Sequence, residues 1–177
     1  MMALAASPLR GQEGIRSPAP LTAAGFAPGQ SLAAVAARAR QLGGATLACD
    51  RSRADPRVLD CRALMRDSVG QHLDLWLSSV DSAVSILTLS TTLSDSALVV
   101  WQRALVHHYG PVPTQVQGQQ RMMQWIRQNT MLRLTWRVEN GAVQTSLSLV
   151  DGTLLDAWGR STEQQVRPTP PPSPTAP

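Results

Sequence analysis

The stretch Ser94 to Pro111, SDSALVVWQRALVHHYGP, narrows most sharply what this chain can fold into. Ser94 can accept hydrogen bonds from the unpaired N–H groups of a first helical turn, and Asp95 suits the positive end of a helix dipole. At 3.6 residues per turn, Leu98, Trp101, Leu105 and Tyr109 share one face, flanked by Val99, Ala104 and Val106. Arg103 and His107 fall opposite them. Gly110 can adopt the left-handed conformation that ends a helix, and Pro111 cannot continue one. A helix of about four turns is marginal in water by itself, so its apolar stripe calls for an apolar sheet to rest on.

Alternating residues supply that sheet. Leu132, Leu134, Trp136 and Val138 alternate with Arg133, Thr135 and Arg137, and Val143, Thr145, Leu147 and Leu149 alternate with Gln144, Ser146 and Ser148. Asn140-Gly141 between them is a type I′ hairpin signal, which pairs Val138 with Val143, Leu134 with Leu147 and Leu132 with Leu149. Upstream, a tight turn at Gln128-Asn129 sets Met123 against Leu134 and Trp125 against Leu132. Residues 111–120 read as a loop. Before the helix, Leu73, Leu75 and Leu77 form one side of a strand, and a reversal at Asp81 places Leu75 opposite Leu87 and Leu73 opposite Leu89. Trp76 and Ile86 are left on the other side, as an apolar pair available to a partner.

Ahead of this hairpin, Ser31 to Leu42 reads as a short Ala-rich helix ending at Gly43-Gly44, with Leu32, Val35, Ala39 and Leu42 along one side. The segment ATLACDRSRADPRVLDCRALM follows. Its apolar ends flank a polar centre at Asp55-Pro56, a turn signal, and symmetry about Asp55 brings Cys49 across from Cys61. These are the two cysteines of the chain. Facing residues of an antiparallel pair lie within disulfide range, so the expectation is a Cys49–Cys61 bond and an oxidising compartment.

The ends differ in composition. Residues 1–12, MMALAASPLRGQ, resemble the last part of a secretory signal peptide without its charged start, and residues 13–30 carry the Pro and Gly of a flexible linker. Gly152 to Trp158 reads as a strand end or short turn bringing a last aromatic to the core. Residues 161–177, with PTPPPSPTAP, read as a disordered Pro-rich tail. No apolar run reaches membrane-spanning length. The expected fold is α+β: one domain over 31–160, with two helices packed on one face of a mostly antiparallel meander sheet of about six or seven strands.

Function is less constrained. The net charge is +4 and the basic residues are all Arg, but Arg51, Arg53 and Arg57 are interleaved with Asp50, Asp55 and Asp60, which argues against a phosphate-binding stripe. His107 and His108 diverge by about 100° on a helix and suit its C-terminal dipole. His72 and Asp74 mark the solvated side of a strand. No nucleophile elbow, phosphate loop, dinucleotide fingerprint or His-Glu-x-x-His motif is present, and two cysteines so far apart lack zinc-ligand spacing. No catalytic, cofactor or metal residue is therefore assigned. The expectation is a non-catalytic exported bacterial protein, periplasmic or envelope-associated, that binds a protein or small ligand through its sheet at Trp76 and Ile86. The alternatives are a hydrolase whose site leaves no local motif and an Arg-based nucleic-acid-binding module.

Overall fold

The computed structural model describes residues 19–66 and 70–166. The signal-like segment 1–12 and the Pro-rich stretch from 167 onward lie outside the described residues. Three helices and eight strands follow in the order α1 (Leu32–Gln41), β1 (Ala48–Arg51), β2 (Val58–Arg66), β3 (His72–Val80), β4 (Ala83–Leu93), α2 (Asp95–Tyr109), β5 (Gln115–Gln117), β6 (Gln120–Arg127), β7 (Thr130–Glu139), β8 (Ala142–Asp151) and α3 (Gly152–Val166). All eight strands form one antiparallel sheet in the order β1-β2-β3-β4-β8-β7-β6-β5. Two four-stranded meanders are thus joined side by side along β4 and β8, and each is followed by a helix.

One face of this sheet carries the core. Ala63, Leu75, Leu89, Leu147, Leu134 and Met123 form an unbroken cross-strand row over six strands, and Cys61, Leu77, Leu87, Leu149, Leu132 and Trp125 form the next. Every one of these side chains is buried. Period-two alternation puts each strand's apolar set on the same side, and register then stacks the sets into rows. The register of the C-terminal hairpins is as read from sequence: Leu134 pairs with Leu147 and Leu132 with Leu149, while Met123 faces Leu134 and Trp125 faces Leu132.

The central hairpin is shifted from its expected register. Leu75 pairs with Leu89 and Leu77 with Leu87. The reversal uses two residues, Asp81 and Ser82, both with positive φ, and a bulge at Ser78/Ser79 adds one more. Together they displace the pairing by two, so the side chains stay on the expected faces.

Helix α2 begins at Ser94, whose hydroxyl accepts from the Ala97 N–H, and ends at Gly110 with φ 89°. Leu98 and Tyr109 are buried, while Trp101, Leu105 and Val106 are partly buried against the core. Val99 and Val100 face outward, so the buried stripe is narrower than the sequence suggests. Helix α1 adds Val35 and Ala39 to the same core. It ends beside Gly44, where a Cβ would come within 2.7 Å of the Ala39 carbonyl oxygen and 2.9 Å of Met65 Cγ.

Four stretches differ from their sequence reading. The linker reading of 13–30 does not fit 21–26, since Leu21, Ala23 and Phe26 are buried in the core. A tight turn at Ala24-Gly25 joins Ala23 to Phe26 by a pair of backbone hydrogen bonds, and Arg38 donates to the Ala24 carbonyl. The loop reading of 111–120 misses β5, a three-residue edge strand, and the sheet has eight strands where six or seven were expected. Gly152 to Trp158 is the start of α3, a helix that runs on through 161–166. Leu154, Leu155 and Trp158 have helical spacing, and Asp151 caps the turn by accepting from the Leu154 N–H. The two-helix, one-face arrangement therefore becomes three helices, with α1 and α2 contributing to the core and α3 placed beside residues of the opposite, polar face.

Candidate binding surface

The second face of the sheet is polar by the same alternation that makes the first apolar. Its central rows read Arg62, Trp76, Thr88, Ser148, Arg133, Gln124 and Leu64, Asp74, Ser90, Ser146, Thr135, Met122. Hydroxyls and amides bridge neighbouring strands: Thr88 with Ser148 at 3.0 Å, Thr135 with Ser146 at 3.2 Å, Thr92 to Gln144 at 3.1 Å, and Arg133 to Gln124 at 2.7 and 2.9 Å. Bonds of this kind hold the side chains in fixed positions across β4, β8, β7 and β6.

A groove of about 520 Å³ lies on this face. Ser90, Thr135, Gln144 and Ser146 contribute from the central strands, Gln117, Gln119 and Gln120 from the β5–β6 hairpin, and Arg137 and Glu139 from β7. Arg137 and Glu139 form a 2.9 Å ion pair that is well exposed, so they bring little net charge to the groove. The groove offers neutral hydrogen-bond donors and acceptors. The sequence reading placed Thr135, Arg137, Gln144 and Ser146 at the positions alternating with the apolar side of the C-terminal hairpin and Gln117, Gln119 and Gln120 in a loop; the available signal was the density of Ser, Thr and Gln at alternate positions of adjacent strands.

At the other end of the same face, Trp76 and Ile86 meet the third helix. They line a cleft of about 310 Å³ together with Val58, Asp60, Leu155 and Trp158. The two residues chosen from sequence as partner-facing are thus brought together, on adjacent strands, and α3 partly covers them. Trp76 also lines a second, more apolar hollow of about 580 Å³ with Leu64, Arg62 and Asp74.

The cysteine hairpin anchors α3. Cys49 and Cys61 are paired across β1 and β2 and joined by a disulfide, with Cα atoms 4.0 Å apart. Beyond them, the Asp55 carboxylate receives the Arg57 guanidinium at 2.7 and 3.1 Å, the Arg57 backbone N–H at 3.0 Å, and the Trp158 indole N–H at 2.8 Å. These donors, Arg57 first, hold the carboxyl far below the usual carboxylate range, and Asp55 in turn raises the Arg57 pKa. Arg57 also donates to Ser161 at 3.0 Å. The start of α3 is fixed at the far side by the β6–β7 turn, where Gly152 N–H donates to the Asn129 carbonyl at 2.8 Å.

The histidines line none of these three hollows. His72, His107 and His108 are exposed, and His108 meets the Tyr109 ring edge-on at 4.5 Å between centroids. Among the described residues, no three His, Cys, Asp or Glu side chains gather in a way that could hold a metal ion. No described helix is long and apolar enough to cross a membrane. In comparisons with family models, curated proteins and solved structures, the chain matches none.

Proposed function

We propose that this is an exported, non-catalytic binding protein that holds a partner protein along the polar face of its sheet. The observation that carries this reading is the 520 Å³ groove, in which Thr135, Ser146 and Gln144 come from separate strands and are held by cross-strand hydrogen bonds. Such groups satisfy the backbone and polar side chains of an extended segment without requiring a charged ligand. On this face Arg137 pairs with Glu139, Arg62 lines a hollow with Asp74 and Arg133 donates to Gln124, which supports a protein partner over a nucleic acid. Export is supported by the Cys49–Cys61 disulfide, since such bonds persist in oxidising compartments.

Peptide-display selection on the immobilised protein tests the binding reading. Selected peptides are expected to lose binding to Ser146→Arg, which fills the groove, and to keep binding to an outward variant such as Arg103→Ala. Peptides indifferent to Ser146→Arg in a folded variant would reject the groove as the site. Cell fractionation with thiol alkylation tests export separately, with two alkylated cysteines in cytosolic protein as the contrary result.

A further inference from the structure

We infer that the cleft between α3 and the sheet is a second binding site, for a small organic cation of the quaternary or methylated ammonium class. Two indoles, Trp76 from β3 and Trp158 from α3, line this cleft of about 310 Å³ along with the aliphatic Val58, Ile86 and Leu155. The volume lies at the small end of the range for ligand pockets, which run from roughly 300 to 1,000 Å³. Apolar walls alone would suit any hydrophobic molecule. Asp60 changes the chemistry.

Asp60 lines the cleft, is half-buried, and has no hydrogen bond or ion pair among the described residues. Its cross-strand neighbours are Ser78 and Asp50, so no basic side chain faces it from either adjacent strand. The other carboxylate of the cleft, Asp55, is already used by Arg57 and Trp158. Its ion pair leaves Asp60 as the carboxylate of the cleft that has no ion pair among the described residues, since Arg62, two positions along the same strand, is exposed and forms none with it. A carboxylate beside apolar walls favours a cation, and an indole face attracts one through its quadrupole. A strongly hydrated metal or ammonium ion would gain little from aliphatic walls, whereas a methylated ammonium presents methyl groups to Val58, Ile86 and Leu155 and its charge to Asp60 and the rings. This site is separate from the polar groove and does not depend on it.

Choline and its uncharged carbon isostere, 3,3-dimethyl-1-butanol, distinguish charge recognition from apolar filling. In ¹⁵N-labelled protein, choline is expected to shift the indole N–H resonances of Trp76 and Trp158 saturably, leaving those of Trp101, Trp125 and Trp136 in place. The alcohol is expected to bind at least about tenfold more weakly, as loss of a desolvated cation–π contact implies. Asp60→Asn, which removes the carboxylate and leaves the indoles, should also weaken choline measurably while the three distant indole resonances report an intact fold. Equal binding of the two probes overturns the proposal, as does an absence of shifts, shifts confined to the other three tryptophans, or full choline affinity in Asp60→Asn. The comparison of probes on the unaltered protein decides the matter even where a variant folds poorly.

Discussion

The hydroxyl of Tyr109 donates to the backbone carbonyl of Thr22 at 2.9 Å and accepts from the Thr22 N–H at 3.1 Å, across 87 positions of sequence. It thereby ties the end of α2 to the N-terminal segment that contributes Leu21, Ala23 and Phe26 to the core. The same corner is closed from the sheet. Arg127 stacks over the Tyr109 ring at 5.5 Å and donates to its carbonyl at 2.8 Å, while the Trp125 indole donates to the Gly110 carbonyl at 2.8 Å.

Tyr109→Phe retains the ring and removes only the hydroxyl, which leaves the Thr22 backbone groups without that partner. Loss of a partner at a partly buried backbone site costs roughly 1–3 kcal/mol. Denaturant melts should show that loss, and limited proteolysis should cut more readily near residues 19–30. A variant as stable as the parent would mean that water replaces the phenol at no cost.

The Asp55 contact predicts a pH dependence with a definite sign. The Arg57 and Trp158 donors depress the folded-state pKa of Asp55. A depressed carboxylate contributes stability that is fully present above its unfolded pKa, about 3.9, and is lost as pH falls towards the folded value. The melting temperature of the parent should therefore exceed that of Asp55→Asn at neutral pH, with the gap closing as the pH drops below about 4. A gap that stays constant or widens in acid would contradict the assignment, and subtraction of the variant removes the effect of the other carboxylates.

The disulfide closes a segment with a sequence separation of 12 and holds the hairpin that presents Asp55 to Trp158. Replacing both Cys49 and Cys61 by Ala should cost about 3 kcal/mol on chain-entropy grounds. Non-reducing mass spectrometry should show the parent two mass units lighter than its reduced form. If the double variant also loses Trp158 indole protection in hydrogen exchange, the hairpin and α3 are coupled as the contacts imply.

What the sequence showed of this fold depended on how local the information was. The Asn140-Gly141 and Gln128-Asn129 turns each fix a two-residue hairpin loop, so the pairing of Leu134 with Leu147 and Met123 follows from counting. Cys49 and Cys61 were legible for the same reason. The central hairpin slipped by two because the Asp81-Ser82 turn and the bulge at Ser78/Ser79 each add one, and the bulge has no marker among the serines there. Phe26 sits in a Pro- and Gly-rich stretch whose composition resembles a linker, and only the distant Tyr109 and Arg38 reveal that it is packed. Trp76 and Ile86 were visible as misplaced apolar residues on a polar face. Their cover was not, because Leu154, Leu155 and Trp158 make too short a pattern to distinguish a turn from a helix whose partners lie across the sheet.

Helix α2 offers a graded test of burial. Leu98 is 7 % exposed beneath the helix, Leu105 is partly buried at its centre, and His107 lies on the outside. Leu98→Ala should cost on the order of 2–5 kcal/mol, because the lost transfer energy is compounded by a cavity that the rigid sheet below cannot fill. Leu105→Ala should cost less, since solvent already reaches part of the side chain and the gap opens towards water. His107→Ala should change stability by no more than about 0.5 kcal/mol. The ordering matters more than any single value, because helix propensity alone would make both Leu→Ala changes mild and similar. Chemical denaturation of the three variants gives it directly. Equal costs at 98 and 105 would show that the whole stripe is packed alike, and a His107→Ala loss as large as either would place the outer face of α2 against a partner that the chain itself does not supply.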